Sequence, residues 1–424
     1  MAVFIGINDY MKKFLVLNWR TEIHDIISQS GNSAVYVIDK KYLYTDYQRC
    51  VNECIENKVS FIIVENLSDI NTVFSLISYI KSKEDFNDVL SCDETTQFAA
   101  SVISRVVFSD NTGSKIYAST RDKRLMKLEL MPYVKMARWF SVFDYCVEGK
   151  MQSLPAGFDF PVVLKPVNRF LSAETYWIRD IEELNTALEK NRLNLCDFIA
   201  EEFINGDEYE VDVIWSEGSV RHIYIAKYQV TRLHGYTNRI PRITVYLPYT
   251  GHEELYDRLE AECVAAASAL GIRSGVTHAE FFVNGESVVL GEIAFRHPGG
   301  AGNKTLSLAT GEGLLEMGLR ARLGWHAGES TEKYIDGFYI GNIDARPHAS
   351  GVVESVTPKE HILSLPGVLD VIYRIRMDHH IEAFGRESWC ALAVIKSDNI
   401  PDLVEKLRNV QSNFKVKFRE ELNV

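Results

Sequence analysis

Apolar and polar residues follow one another in two periods along this chain, and the way the periods alternate divides it. In the first stretch, short apolar runs are separated by amphipathic segments. Phe14-Leu15-Val16-Leu17, Ala34-Val35-Tyr36-Val37-Ile38 and Phe61-Ile62-Ile63-Val64 read as buried strands. Arg20–Gln29 and Tyr47–Asn57 read as helices between them. Strands alternating with helices predict a small parallel α/β sheet. No Gly-x-Gly-x-x-Gly follows the first strand, so a dinucleotide site there is not supported.

The texture changes near Thr120. Arg121–Met131 is basic with a helical pattern, and Phe160-Pro161-Val162-Val163-Leu164-Lys165-Pro166 is a strand that ends in a lysine. Ile199–Ile204 and Glu208–Trp215 read as further strands. Glu253–Leu270 carries apolar residues near one face and meets Gly271 as its stop, which predicts a long helix. Gly275–Val283 and Ser287–Phe295 flank Asn284-Gly285, a strong hairpin signal. Beyond about Ala345, three short strands (Val352–Val356, Val368–Ile375, Ala391–Ile395) and a helix (Ile400–Val410) predict a small α+β tail. Linkers between the three parts are short, so the parts are expected to pack as one body.

Composition narrows the function classes. A chain of 424 residues is long enough for about three domains at roughly 150 residues each. With 46% apolar residues it can bury a large core without disulfides or a structural metal. A formal charge of −12 speaks against a nucleic-acid surface and against a polybasic membrane patch. A few local cations can still bind a phosphate ligand. Seven scattered cysteines without a Cys-x-x-Cys pair are expected to be reduced thiols. The first residues show no apolar signal-peptide core, and no run of about 18 apolar residues occurs; the expected location is cytoplasmic.

Several segments carry candidate chemistry. Lys165, at a strand end beside the polar loop Val167–Ala173, can grip a phosphate as a point charge or can be an ordinary surface lysine. Lys123 and Lys127 lie one turn apart on a predicted helix, which by itself fits a solvated face. Glu201 to Ile204 and Glu208 offer an extended backbone and carboxylates that suit an adenine edge and ribose hydroxyls, or else an acidic strand end. Glu280 and Glu292 lie inside apolar strands, where a carboxylate is costly unless it is paired or binds a metal. Hard oxygen donors on adjacent strands suit Mg²⁺ held together with substrate phosphates; an ion pair with Arg296 is the other explanation. His278, His297, Gly299 and Gly300 are candidate substrate contacts. Arg232, Arg239 and Arg242, with His234 and Lys227, form a basic stretch that fits either a phosphate or carboxylate contact or a solvated loop. His379-His380 reads as surface.

Strand geometry sets a condition. Side chains alternate faces along a strand. A plain two-residue Asn-Gly turn pairs Val283 with Glu286, and that register puts Glu280 and Glu292 on opposite faces. A three-residue loop or a bulge restores a common face. The hairpin is therefore expected to depart from a plain two-residue turn, so that His278, Glu280, Glu292 and Arg296 all point the same way.

Taken in order, these residues resemble the ATP-grasp superfamily of carboxylate–amine ligases, and the tail resembles the C-terminal module of its L-amino-acid (dipeptide) ligases. The resemblance implies a three-part α/β and α+β architecture: an N-terminal α/β domain over 1–118, an ATP-grasp domain over 119–345 with a lid at about 120–205, and a C-terminal α+β domain over 346–424. It implies that Lys123, Lys165 and Ser172 contact phosphates. Glu201, Glu202, Phe203 and Ile204 would form the adenine hinge, and Glu208 would bind ribose. Glu280 and Glu292 would hold Mg²⁺ (or Mn²⁺), and Arg296 would steady an acyl phosphate. The loop over Asn168–Ala173 departs from the family pattern in having no glycine, and Ala294 stands where the family usually has Asn.

The implied activity is ATP-dependent joining of a carboxylate, an amino acid, to an amine, with a dipeptide or dipeptide-like product. The implied partners are ATP and small-molecule substrates, with a homodimer compatible with the first domain. Two alternatives share the resemblance: a glycinamide ribonucleotide synthetase type of ligase, and a non-catalytic ATP-binding regulatory module.

Overall fold

A computed structural model describes residues 11–42, 45–83, 85–169, 174–325, 332–383 and 390–419. The first three predicted strands form as Lys13–Leu17, Ser33–Asp39 and Ser60–Val64, joined in parallel by a fourth, Asp88–Ser91. The fourth was not legible, because its four residues begin with Asp and end with Ser. The order places Lys13–Leu17 in the interior between Ser33–Asp39 and Asp88–Ser91. Its carboxyl end leads into Trp19 and Arg20, and Asp88–Ser91 leads into Cys92, Asp93 and Glu94. Open α/β sheets place ligands at such strand ends.

The centre of the molecule is an eight-stranded sheet with antiparallel neighbours. At one edge lies the hairpin Gly275–Asn284 and Ser287–Ala294, followed inward by Asp207–Ser216 and Ser219–Tyr228. The predicted helix forms over Glu253–Leu270 and stops at Gly271, whose φ of +83° favours glycine. Toward the other edge come Tyr339–Ala345, Ala391–Ser397 and Val368–Tyr373. Residues beyond 345 thus continue the central sheet, and the helix Ile400–Asn413 packs on Tyr339–Ala345 and Ala391–Ser397. Buried side chains from Leu15 to Phe414 join one core cluster, so the three parts form one body.

A separate four-stranded antiparallel sheet covers the site. Its order is Trp139–Ser141, Phe198–Glu202, Val162–Pro166, Tyr176–Ile178. It has a small core of its own, in which Phe140, Leu164, Leu184, Leu188 and Phe198 meet. The helix Ile181–Lys190 supplies Leu184 and Leu188, and begins at Asp180, whose side chain accepts from the backbone N–H groups of Glu182 and Glu183. Among the described residues, no helix is long and apolar enough to cross a membrane.

Candidate active site

A cavity of about 1450 Å³ lies between the lid sheet, the central sheet, the carboxyl ends of the N-terminal sheet and the C-terminal part. Its floor is the hairpin. Glu280 stands directly opposite Glu292, but one step further Phe281 pairs with Leu290. Gly291 is the extra residue. The turn itself has two residues, Gly285 and Glu286, with φ +55° at Gly285, and pairs Asn284 with Ser287. The expected departure from a plain hairpin is therefore a bulge in the strand, not a longer loop. Glycine suits the position: a Cβ there would come within 3.1 Å of the Phe282 ring and 3.2 Å of the Glu280 carbonyl oxygen.

Both carboxylates are neutralised by cations from other elements. Lys123 Nζ lies 3.3 Å from Glu292 Oε2. Lys123 opens the helix Lys123–Leu130, capped by the Asp122 side chain, and its backbone N–H donates to Val167 at the end of a lid strand. Burial opposes ionisation of Glu292, but Lys123, Lys165 and Arg232 more than offset it and hold its pKa at about 2. Arg232 donates to Glu280 Oε1 at 2.7 Å. The backbone N–H of Arg232 donates to Glu208 at 2.6 Å. Burial and the nearby Glu280 nonetheless push Glu208 up to about 8.

Behind the phosphate lysines lies a buried chain of charge. Glu201 Oε2 is 2.9 Å from Lys165 Nζ, and its Oε1 is 3.1 Å from Lys127 Nζ. Lys127 also donates to the Ala137 carbonyl at 2.9 Å. Lys127 is only 1% exposed, which corrects its reading as a solvated face. Burial lowers its pKa, whereas at Lys165 the attraction of Glu201 outweighs burial and raises it. Glu202 pairs with Arg138 at 2.7 Å at the lid surface. Phe203 follows with its ring centroid 5.9 Å from that of Trp177, and both line the cavity.

The hairpin's other end carries histidine and arginine. His278 Nδ1 is 2.8 Å from the fully buried Asp212, and burial pushes Asp212 up to about 6 against the pull of His278. Arg296 donates through its Nε and NH2 to Glu94 Oε2, at 3.1 and 2.8 Å, and Arg121 meets the other oxygen of Glu94 at 3.1 Å. His297 is close to Pro298: its Nδ1 lies 2.8 Å from that carbonyl, so Nδ1 carries the proton. Burial pushes its pKa down to about 3. Gly300 has φ +65°, and a Cβ there would lie 2.2 Å from a guanidinium nitrogen of Arg242. Arg242 itself pairs with Asp344 at 3.0 Å.

Residues 158–304 match the family model described as the ATP-grasp domain. The chain carries an ATP-grasp domain. It is 23% identical over 319 residues to an L-arginine-specific L-amino acid ligase of Bacillus subtilis, covering 73% of this chain and 74% of that protein. Its fold matches an L-amino acid ligase from Bacillus licheniformis with a TM-score of 0.74 at 15% identity, over 96% of this chain and 99% of the other. It also matches phosphoribosylglycinamide synthetase from Anaerococcus prevotii with a TM-score of 0.63 at 14% identity, over 97% and 100%.

The ATP-grasp cavity gathers Lys123, Lys165, Glu201 to Ile204, Glu208, His278, Glu280, Glu292, Arg296, His297, Gly299 and Gly300 along its wall. Ser172 lies outside the described residues. Of the basic stretch, Arg232 points into the site, while Lys227 is drawn to Asp207 at 2.6 Å. His379 and His380 are exposed, as expected of surface residues, yet they line the cavity. Sequence reasoning did not single out Glu94, Glu210 or Asp212. Glu210 and Asp212 alternate with Val211 and Val213 on one strand, and carboxylates inside an apolar strand were the available signal.

Glu280 and Glu292 suit a Mg²⁺ ion. They are hard oxygen donors on one face, with two lysines beside them to receive phosphates. Mg²⁺ is commonly held by one or two carboxylates plus substrate phosphates and water. Among the described residues, no group of three or more His, Cys, Asp or Glu is placed to cage a metal by itself, which agrees with an ion that arrives with nucleotide.

Proposed function

We propose that the protein is an ATP-dependent ligase that joins an amino-acid carboxylate to an amine through an acyl phosphate, releasing ADP and phosphate and forming a dipeptide or dipeptide-like product. The observation that carries this reading is the convergence of Lys123, Lys165, Glu280, Glu292 and Arg296 on one cavity. The likeness to L-amino acid ligases supports it.

A free carboxylate is a poor acyl donor because its leaving group is poor. Attack of a carboxylate oxygen on the γ-phosphorus of ATP breaks the bond to ADP and makes an acyl phosphate. Phosphoryl transfer needs positioning and charge neutralisation more than covalent help from the protein. Lys123 and Lys165 supply fixed positive charge, and the buried Glu201 holds Lys165 in place. Glu280 and Glu292 would hold Mg²⁺ (or Mn²⁺), which neutralises phosphate charge when bound. The segment Glu201 to Ile204 flanks the adenine, and Glu208 takes the ribose.

The amine then attacks the acyl carbon, and the C–N bond forms as the bond to phosphate oxygen breaks. Negative charge grows on the former carbonyl oxygen. Arg296, oriented by Glu94, stabilises it. Acyl phosphates hydrolyse readily, so the lid sheet over the cavity serves to keep water out. The test is a screen of pairwise amino-acid mixtures for ADP formation from ATP with Mg²⁺. ADP that depends on both members of a pair supports the reading. ATP turnover indifferent to the second amino acid, or none in any pair, refutes it.

A further inference from the structure

The charges of the cavity are unevenly matched. On the N-terminal and central walls, cations face carboxylates: Arg49 meets Glu53, Arg296 meets Glu94, Arg232 meets Glu280 and Arg242 meets Asp344. The C-terminal wall differs. It is built from Ile372 to Arg376, His379 to Ile381 and Cys390, and no acidic residue is among them. Arg374 and Arg376 stand two residues apart in extended backbone just past the strand Val368–Tyr373, with His379 and His380 close behind. The side chain of Arg376 has no carboxylate partner among the described residues, and it is exposed to the cavity.

The chemistry of the reaction says which ligand group such a wall can meet. The nucleotide's phosphates belong with Lys123 and Lys165. The carboxylate of the acyl donor is consumed at the reacting centre, beside Arg296 and the two glutamates. One kind of anionic group outlasts both steps, namely that carried by the amine substrate. A guanidinium without a protein carboxylate suits it, because Arg binds planar anions through paired N–H groups.

We propose that the C-terminal wall, through Arg376, binds the anionic group of the amine substrate and so selects an amine that carries a carboxylate or a phosphate. This rests on the ligase reading above and adds to it the substrate class on the amine side. It also gives the residues beyond 345 a function, since they bring Arg376 to the cavity by extending the central sheet.

The experiment compares three amines with the wild-type protein, Arg376→Ala and Arg376→Lys, under saturating ATP, Mg²⁺ and acyl donor. The amines are the amino acid found in the pairwise screen, its own carboxamide, and phosphoethanolamine. The expected result is at least a tenfold preference of the wild-type protein, in kcat/KM, for an anionic amine over the carboxamide. Arg376→Ala should remove that preference, chiefly through KM for the amine, and Arg376→Lys should keep part of it. Preference for the amino acid or for phosphoethanolamine tells which anion is read. A wild-type protein indifferent to the charge, or an equal loss for acid and carboxamide in Arg376→Ala, overturns the proposal. If no amine supports ADP formation, the ligase reading falls. Calorimetric titration of the same amines into the wild-type protein and Arg376→Ala, with ADP present, then judges Arg376 alone: tighter binding of an anionic amine that depends on Arg376 supports its assignment, and equal binding rejects it.

Discussion

Glu280 faces Glu292 across the hairpin because Gly291 is a residue too many in its strand. Without that bulge, the two-residue turn would send the carboxylates to opposite sides of the sheet. Gly291→Ala forces a methyl group against the Phe282 ring and the Glu280 carbonyl. It is expected to cost about 1–3 kcal/mol of stability, read by urea unfolding. ADP formation should fall as well, because any relief of the contact shifts Glu280 against Glu292.

Glu201 couples the surface of the site to a fully buried cation. Lys127→Met leaves Glu201 with Lys165 as its remaining close partner in the pair of lysines. Breaking a buried ion pair costs on the order of 3 kcal/mol. Unfolding measurements should show that loss, and KM for ATP should rise several-fold as Lys165 is drawn toward Glu201. An unchanged KM for ATP would separate Lys127 from phosphate binding.

In the free protein Glu280 already has Arg232 and Glu292 already has Lys123. A divalent ion must compete with these cations unless phosphates draw Lys123 away. Calorimetry with Mn²⁺ should therefore show weak binding to the protein alone, and binding at least tenfold tighter when ADP is present. Equal affinity in both states would contradict the idea that the metal arrives with the nucleotide.

His297 gives the protein an acid-side weakness. Its pKa is about 3 in the folded chain, below its unfolded value near 6.5. Between these values the unfolded chain binds a proton that the folded chain does not. Stability should accordingly fall as pH drops from about 6.5 toward 3, with a contribution of at most about 1.4 kcal/mol per pH unit from this one group. Chemical denaturation at several pH values should show a shallower acid-side slope for His297→Asn than for the wild-type protein.

These residues also show where sequence reading reached and where it stopped. Glu280 and Glu292 were legible because carboxylates inside apolar strands need a cause, and strand parity then demanded an irregularity. Which irregularity formed depended on the space around Gly291, which no pattern encodes. Lys127 was read as solvated because helical spacing says which residues share a face, but not that the lid will cover that face. Glu94 meets Arg296 from a loop far back in the chain, and no local signal announces such a meeting. The residues beyond 345 were read correctly as strands and a helix. Their place in the central sheet depends on nonlocal strand order, so Arg376, His379 and His380 could not be assigned to the cavity.

The central claim is that a carboxylate oxygen attacks the γ-phosphorus of ATP. It is tested most directly by supplying the acyl donor with ¹⁸O in its carboxylate and analysing the released phosphate by mass spectrometry. The account predicts one ¹⁸O atom in each phosphate formed with product. Phosphate that carries no ¹⁸O, while product forms, would contradict it.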